Sequence, residues 1–388
     1  MVSDLPNIRH LHAFAAVMNQ GSITAAARSV NLTQPALTQA IFKMEGALGA
    51  ALFERRADGM TPTAAARVWL PRVEMALRLI GTRRATVAQI RAFLAVARHG
   101  GYAAAAAAIG LSEASLHRAV ADLSIGLGHR LIERRGRAIG LTARGTAVAR
   151  NFRLAVAELR SAQTELSALA GKAAGRITIG AMPLSRARLL PAAVMRFHFE
   201  HPDIDLAIIE GSHAELLSPL RDGDIDLMIG ALRTEVAEGL VQCPLFEDRP
   251  VIVARQGHPL TAQSPFDAQK LQYYPWIVSA PGTPLRREWM SMFDALGVAP
   301  PRVPIECGSV LMLRQMLMRD DFLTLLSPDQ ILLEIEAGWL TKLGEPPGSI
   351  RRTIGMTTRR DWRPTPAQQA LIGIISEEAR QIGRTIHS

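Results

Sequence analysis

Cysteine is nearly missing from this chain: Cys243 and Cys307 are the only two in 388 residues. They stand far apart and in no CxxC or Cys/His cluster, so the sequence suggests neither a disulfide framework nor a zinc site. Both read as reduced, partly buried thiols. Long apolar runs are missing too. The uninterrupted stretch from Tyr102 to Leu111 falls well short of the roughly 20 residues that a membrane-crossing helix needs. The opening Met1-Val2-Ser3-Asp4-Leu5-Pro6 has no charged segment followed by an apolar one. These absences predict a cytoplasmic protein with no membrane partner. No GxSxG, Walker, HExxH or GxGxxG context occurs and the ten histidines are scattered, which argues against an enzyme and leaves no metal or cofactor site to assign.

What the chain does have is apolar residues and an uneven charge. At 48% hydrophobic it can bury cores in two or three globular domains. Residues 1–170 carry 21 Lys and Arg against 10 Asp and Glu, whereas the remainder carries 23 against 25. All of the +9 surplus therefore lies toward the front. Such asymmetry suggests a polyanion partner there, because each phosphate neutralised by Arg or Lys releases condensed counterions.

The basic region repeats itself without gaps at an offset of 79 residues. Phe14 falls on Phe93, Val17 on Val96, Gly21 on Gly100, Leu32 on Leu111, Leu37 on Leu116, Gly49 on Gly128 and Leu52 on Leu131. The run Glu54-Arg55-Arg56 recurs as Glu133-Arg134-Arg135. Agreement at Phe, Gly, Leu and Glu-Arg-Arg in one register reads as a tandem duplication of a small domain. Each copy is predicted to hold three helices and a hairpin. Ile8, Leu11, Phe14 and Met18 recur at helical spacing, Gly21 closes that helix, and Ser22 is placed to cap the next. Asn31-Leu32-Thr33 supplies a turn before a third helix with Thr33 at its N-cap and Pro35 in its first turn, a helix-turn-helix. Leu37, Ile41, Met44 and Leu48 form that helix's buried stripe, so Gln34, Thr38, Gln39 and Lys43 project elsewhere. Such side chains suit a major groove, where Gln pairs bidentately with adenine and Thr reaches base edges or phosphates. An ordinary solvated helix face is the plainer reading of the same residues.

The segments Gly21-Ser22-Ile23-Thr24-Ala25-Ala26-Ala27, Leu32-Thr33-Gln34-Pro35-Ala36-Leu37-Thr38-Gln39-Ala40-Ile41 and Leu52-Phe53-Glu54-Arg55 resemble the DNA-binding domain of LysR-type transcription regulators. The resemblance implies that the helix opened by Gln34-Pro35 reads the groove and that Arg55 and Arg56, in the hairpin wing, meet phosphates of double-stranded DNA. One departure is Gln39, where the family often has Arg, a change that weakens a guanine or phosphate contact. The second copy, Ser112-Glu113-Ala114-Ser115-Leu116-His117-Arg118, restores the Arg but substitutes Glu113-Ala114 for the Gln-Pro opening and adds Asp122. Ser112, Ser115, Arg118, Arg134 and Arg135 are its candidate DNA contacts. Carboxylates facing phosphates repel, so contact with DNA and a purely structural role both remain open for this copy.

The resulting expectation is an α/β chain overall, with a winged helix-turn-helix over 1–63, a linker helix over 64–84, a second winged domain over 85–142 and a linker helix over 143–171. In the second linker, Val148, Phe152, Val156, Leu159, Leu166 and Leu169 form a stripe that needs a partner. The family resemblance implies pairing between subunits of a homodimer or homotetramer. Over 175–388, strand and helix patterns alternate, which predicts a mainly parallel sheet. Leu189-Leu190-Pro191, Phe199-Glu200-His201-Pro202, Leu220 to Asp226 and Gly257-His258-Pro259-Leu260 resemble the family's effector domain, which implies a two-lobed, periplasmic-binding-protein-like (type 2) fold. A small-molecule effector would then lie between the lobes at Met182, Ser185, Arg233, Thr283 and Ser309. The three hydroxyls equally suit plain N-caps, and Arg233 a surface ion pair. Ala181 to Ser185, Tyr274-Pro275-Trp276 and Arg360 to Thr365 are similar to the galactose-binding-protein regulators within the family. That similarity implies a sugar or organic acid as effector, with Trp276 and Trp362 placed to stack on a pyranose. An enzyme or a solute-binding protein with a two-lobed α/β fold is the alternative; the basic, repeated front end disfavours both.

Overall fold

The computed structural model describes residues 6–56, 59–136, 138–172, 175–262, 267–348 and 350–386, and the chain divides at Gly175/Arg176 into two compact units.

In the first unit one order of elements occurs twice. Helix α1 (Ile8–Gln20) buries Ile8, Leu11, Phe14 and Val17, three residues apart, and stops at Gly21 with φ 65°. Helix α2 (Ile23–Ser29) turns Ala26 and Ala27 inward, small enough for close helix approach, and Ser22 stands at its N-cap position without a side-chain hydrogen bond. Helix α3 (Gln34–Leu48) is capped by Thr33, whose hydroxyl accepts from Ala36 N, and it buries Leu37, Ala40, Ile41 and Met44. A hairpin of β1 (Phe53–Arg56) and β2 (Gly59–Pro62) follows, then helix α4 (Ala64–Ile80). The order returns as α5 (Val87–His99), α6 (Tyr102–Ile109), α7 (Glu113–Leu127), β3 (Ile132–Arg135), β4 (Ala138–Leu141) and α8 (Ala143–Leu169). Its caps return with it. Gly100 closes α5 at φ 68°, and Thr142 caps α8 as Thr63 caps α4. The turn before α3 holds Asn31 at φ 56° and the turn before α7 holds Gly110 at φ 68°, both residue types that tolerate the left-handed region.

The two linker helices pack on each other. The α8 stripe is covered within the chain by α4, and Phe152, Val156, Leu159 and Leu166 share one continuous core with Trp69, Val73, Ala76 and Ile80. Leu169, assigned to that stripe, is instead 54% exposed at the end of α8. Within the seam Arg72 is buried and bridges Glu158 at 3.0 Å and Glu165 at 2.7 Å.

The second unit has two sheets. The first has strand order β6-β5-β7-β14-β8, from β5 (Gly175–Ala181), β6 (Ile204–Glu210), β7 (Leu227–Ala231), β8 (Leu240–Asp248) and β14 (Arg352–Arg359). Helices α9 (Leu189–Glu200) and α14 (Pro366–Ile386) cover it through Leu190, Phe197, Leu371 and Ile375, while α10 (His213–Asp222) adds Leu216 and Leu220 to a smaller cluster. The second lobe carries β9 (Val251–Arg255) between β12 (Thr324–Leu326) and β13 (Leu340–Gly344), together with the pair β10 (Ile277–Val278) and β11 (Ile305–Glu306). Its helices are α11 (Pro284–Leu296), α12 (Val310–Leu317) and α13 (Leu332–Glu336). The expected mainly parallel sheet is in fact mixed. β5 runs parallel to β7 and β10 to β11, but β14 is antiparallel to both β7 and β8, and β12 and β13 are antiparallel to β9. The cause is that the chain leaves the first lobe after β8 and returns to it only at β14. At that crossing Asp248, fully buried, meets Arg352 at 2.6 Å.

Candidate functional site

Helix α3 carries its polar residues on the face opposite its buried stripe. Thr33, Gln34, Pro35, Gln39 and Lys43 are exposed and Thr38 is half-buried, its hydroxyl donating to Gln34 O at 3.0 Å. Gln34, Pro35, Thr38 and Gln39 line a shallow open groove that also includes Phe42. Phe42 is 73% exposed and escaped the sequence reading. Its signal was position alone: it lies one turn beyond Thr38 and Gln39, where an apolar ring has no core to enter. An exposed ring there suits contact with a thymine methyl group. Behind α3, Glu45 Oε1 accepts from Leu52 N at 2.7 Å and Phe53 N at 3.2 Å, fixing the helix to the strand that carries Arg55 and Arg56. The side chains of Arg55, Arg56 and Arg135, and residue Arg137, lie outside the described residues.

On α7, Ser112, Ser115 and Arg118 are exposed, and so is Arg134 on β3. The Ser112 and Ser115 hydroxyls are 2.8 Å apart while Ser112 caps the helix by accepting from Ser115 N. His117, in the position equivalent to Thr38, stacks on Tyr102 with ring centroids 3.5 Å apart. Tyr102, His117, Arg130 and Arg134 line a shallow pocket beside the hairpin.

In the second unit the five expected effector residues separate into two groups. Arg233 follows β7, while Thr283 and Ser309 cap α11 and α12 just beyond the carboxyl ends of the parallel pair β10 and β11, the position where open α/β sheets bind ligands. Arg233 Nη1 donates to Gly282 O at 3.3 Å, which joins it to Thr283 from the other lobe. Its Nε is buried with no hydrogen-bond partner. Burial and the neighbouring Arg287 push the Arg233 pKa down, and burial followed by the Arg233 charge lowers that of His213. Two arginines and an imidazole held toward its neutral form thus meet here; Arg287 and His213 are distant in sequence and only the fold gathers them.

Met182 and Ser185 belong elsewhere. Met182 is buried against Gly230, where an added Cβ would come within 2.2 Å of its methyl, and it packs with Leu216, Leu220 and Met228. Ser185 is no N-cap: it lies inside the 3-10 turn Pro183–Arg186, fully buried, and donates to Met182 O at 2.8 Å. Trp276 is likewise core. It is fully buried against Trp289 and Phe293 with its Nε1 donating to Leu271 O, so it cannot stack on a sugar. Trp362 packs against the first-lobe core with Arg359 over its ring.

Residues 8–67 and again 87–146 match the bacterial regulatory helix-turn-helix protein family of lysR type, and residues 170–380 match the LysR substrate binding domain. The chain is 31% identical to the HTH-type transcriptional regulator GalR of Pseudomonas putida over 96% of its own length and 98% of that protein's. It is 32% identical to the SDS degradation transcriptional activation protein of a Pseudomonas species, over 75% of this chain and 95% of that one. Among solved structures, ArgP from Mycobacterium tuberculosis superposes with a TM-score of 0.59 at 18% identity, covering 75% of this chain and 96% of that one. Among the described residues no single helix is long and apolar enough to cross a membrane.

Proposed function

The chain belongs to the LysR family of bacterial transcription regulators, DNA-binding proteins with an effector-binding domain, and on that premise we propose how its parts divide the work. The repeat is a tandem duplication of the winged domain, supported by the two separate helix-turn-helix matches 79 residues apart and by the return of element order and caps. Domains fall at 1–63 and 85–142, with linkers over 64–84 and 143–171 and the effector domain over 175–388. The first copy reads bases through Gln34, Thr38, Gln39 and Phe42, with Thr33 and Pro35 setting the helix start and Lys43, Arg55 and Arg56 meeting phosphates. The observation that carries this is the exposed polar face of α3 held rigidly to its wing by Glu45. In the second copy Ser112, Ser115, Arg118, Arg134 and Arg135 touch DNA. The protein acts in the cytoplasm as a homodimer or homotetramer.

A Gln34→Ala/Thr38→Ala variant should lose about 1–3 kcal/mol of affinity per bidentate base contact and relax base preference, as read by gel shift on a selected site. Undiminished affinity and preference would remove α3 from the interface.

The effector is an anion, supported by the orphaned Arg233 Nε and the neighbouring Arg287 charge, while His213, held toward its neutral form by burial and by Arg233, offers a hydrogen bond rather than a charge. An organic acid or sugar acid, as the similarity to the galactose-binding-protein regulators suggests, fits this cluster better than a neutral sugar. Thr283 and Ser309 supply hydroxyls, whereas Met182 and Ser185 pack on β7, the strand that leads to Arg233, and take no direct part. A thermal-shift screen of carboxylic acids should find one that raises the melting temperature by mass action, and Arg233→Met should abolish that shift. A confirmed ligand unaffected by Arg233→Met would place the site elsewhere.

A further inference from the structure

The surfaces of α4 and α8 are not interchangeable, although the helices occupy equivalent places in the repeat. Apolar burial alone, Trp69, Val73 and Ala76 on one side and Phe152, Val156 and Leu159 on the other, would let α8 pair with α8 of a second chain as readily as with α4. The charges in the seam decide otherwise. Arg72 donates Nη1 to Glu158 and both Nη2 and Nε to Glu165, a bidentate grip with the guanidinium 4% exposed. The position equivalent to Arg72 in the second copy is Asn151, and those equivalent to Glu158 and Glu165 in the first are Leu79 and Thr86. At these seam positions α4 brings only the cation and α8 only the carboxylates, whereas Glu74 on α4 and Arg153 and Arg160 on α8 lie outside this ion-paired set. An α8·α8 seam in the same register would bury carboxylates without a cation, and an α4·α4 seam would bury Arg72 alone. Leaving a buried charge unpaired is strongly unfavourable, so the seam selects against both like pairs. Only residues 81–86 separate α4 from α5, a tether that keeps α8's correct partner at high local concentration.

We propose that this one-signed seam makes a single chain a complete pair of DNA-reading heads, and that its target is a non-palindromic duplex with two chemically different halves. The inference rests on the DNA-binding reading above and adds the form of the site. Across the repeat, Gln34 corresponds to Glu113, Gln39 to Arg118, Phe42 to Ala121 and Lys43 to Asp122. Glutamine amides and an exposed ring suit adenine edges and thymine methyls, so α3 takes an A·T-rich half. Arg118 suits guanine O6 and N7, and Glu113 accepts from cytosine N4, so α7 takes a half containing G·C pairs. His117 is withdrawn from reading by its stack on Tyr102.

Selection of the full-length protein on a pool of random duplex DNA tests this. The expected motif has two unlike parts at fixed spacing, alone or as a repeated unit where two chains bind. Gln34→Ala/Gln39→Ala should flatten base preference in the A·T part only, and Arg118→Ala should flatten it, about tenfold or more, in the G·C part only. All substituted residues are exposed, so folding is not at stake. An inverted repeat of one half-site, erased by the α3 variant and untouched by Arg118→Ala, would overturn the proposal while leaving DNA binding intact. Enrichment of no motif at all would overturn the DNA-binding reading itself, and the proposal with it.

Discussion

The two winged domains keep the same skeleton and differ in what ties it together. In the first, Glu45 on the recognition helix holds the backbone of Leu52 and Phe53; in the second the equivalent Ser124 donates to Val120 O within its own helix. The first packs Phe14 against Trp69 and Phe53, whereas the second packs Phe93 edge-on to Phe152. The glycine caps Gly21/Gly100 and Gly49/Gly128 and the threonine caps Thr63/Thr142 agree, and Ser112 takes the capping place of Thr33, while the reading faces carry different chemistry. The difference teaches that the order of elements is shared while divergence reaches the seam, the helix-to-wing brace, the aromatic packing and the surface offered to a partner.

The comparison can be broken most forcefully where the second linker starts. A Cβ on Gly145 would sit 2.0 Å from the Leu131 carbonyl oxygen, whereas the first domain accommodates Ala66 at the same place. Gly145→Ala should destabilise the second domain by about 1–3 kcal/mol, outweighing its better helix propensity. Ala66→Gly should cost the first about 1 kcal/mol. Urea unfolding with hydrogen exchange to localise the loss distinguishes the two. A smaller effect comes from the brace. Glu45→Ala strands two backbone donors and should cost about 1 kcal/mol with faster exchange at Leu52 and Phe53 amides, while Ser124→Ala should cost less than half of that. Equal effects would mean that the brace is not what distinguishes the domains. The smallest concerns pH. Burial first, with Lys43 and Arg83 second, lowers the pKa of His10 and His12 from 6.5, and the second domain has Gln89 and Arg91 there. Both imidazoles are neutral in the fold, and the unfolded chain takes up protons more readily. Their contribution is therefore present above pH 6.5 and lost as pH falls below it. Hydrogen exchange at pH 7.5 and 5.5 should show α1 loosening with acid and α5 unchanged.

Much of the reading head was legible in sequence because its signals are local. Thr33 before Gln34-Pro35, Gly21 after an apolar helix and the stripe Leu37-Ile41-Met44 each act within a few residues. The partner of the α8 stripe was not legible: an amphipathic face announces that it will be covered but not by what, and Arg72 finds its carboxylates 86 and 93 residues away. The effector pocket fared worse for the same reason. A hydroxyl after a strand reads alike whether it faces a ligand or, like Ser185, is turned inward by a 3-10 turn. The hydrophobicity of β14 reported burial without direction, so its antiparallel return could not be seen.

That return has a consequence in time. β14 sits between β7 and β8, so the first effector lobe lacks an inner strand until residues 352–359 have been synthesised, whereas the elements of the reading head are finished at Leu169. Chains emerge from the ribosome N-terminus first and domains fold as units. The nascent protein thus owns a finished DNA reader for nearly half of its synthesis before it owns a sensor. A stop codon anywhere in the second lobe would release a reader that no effector can govern.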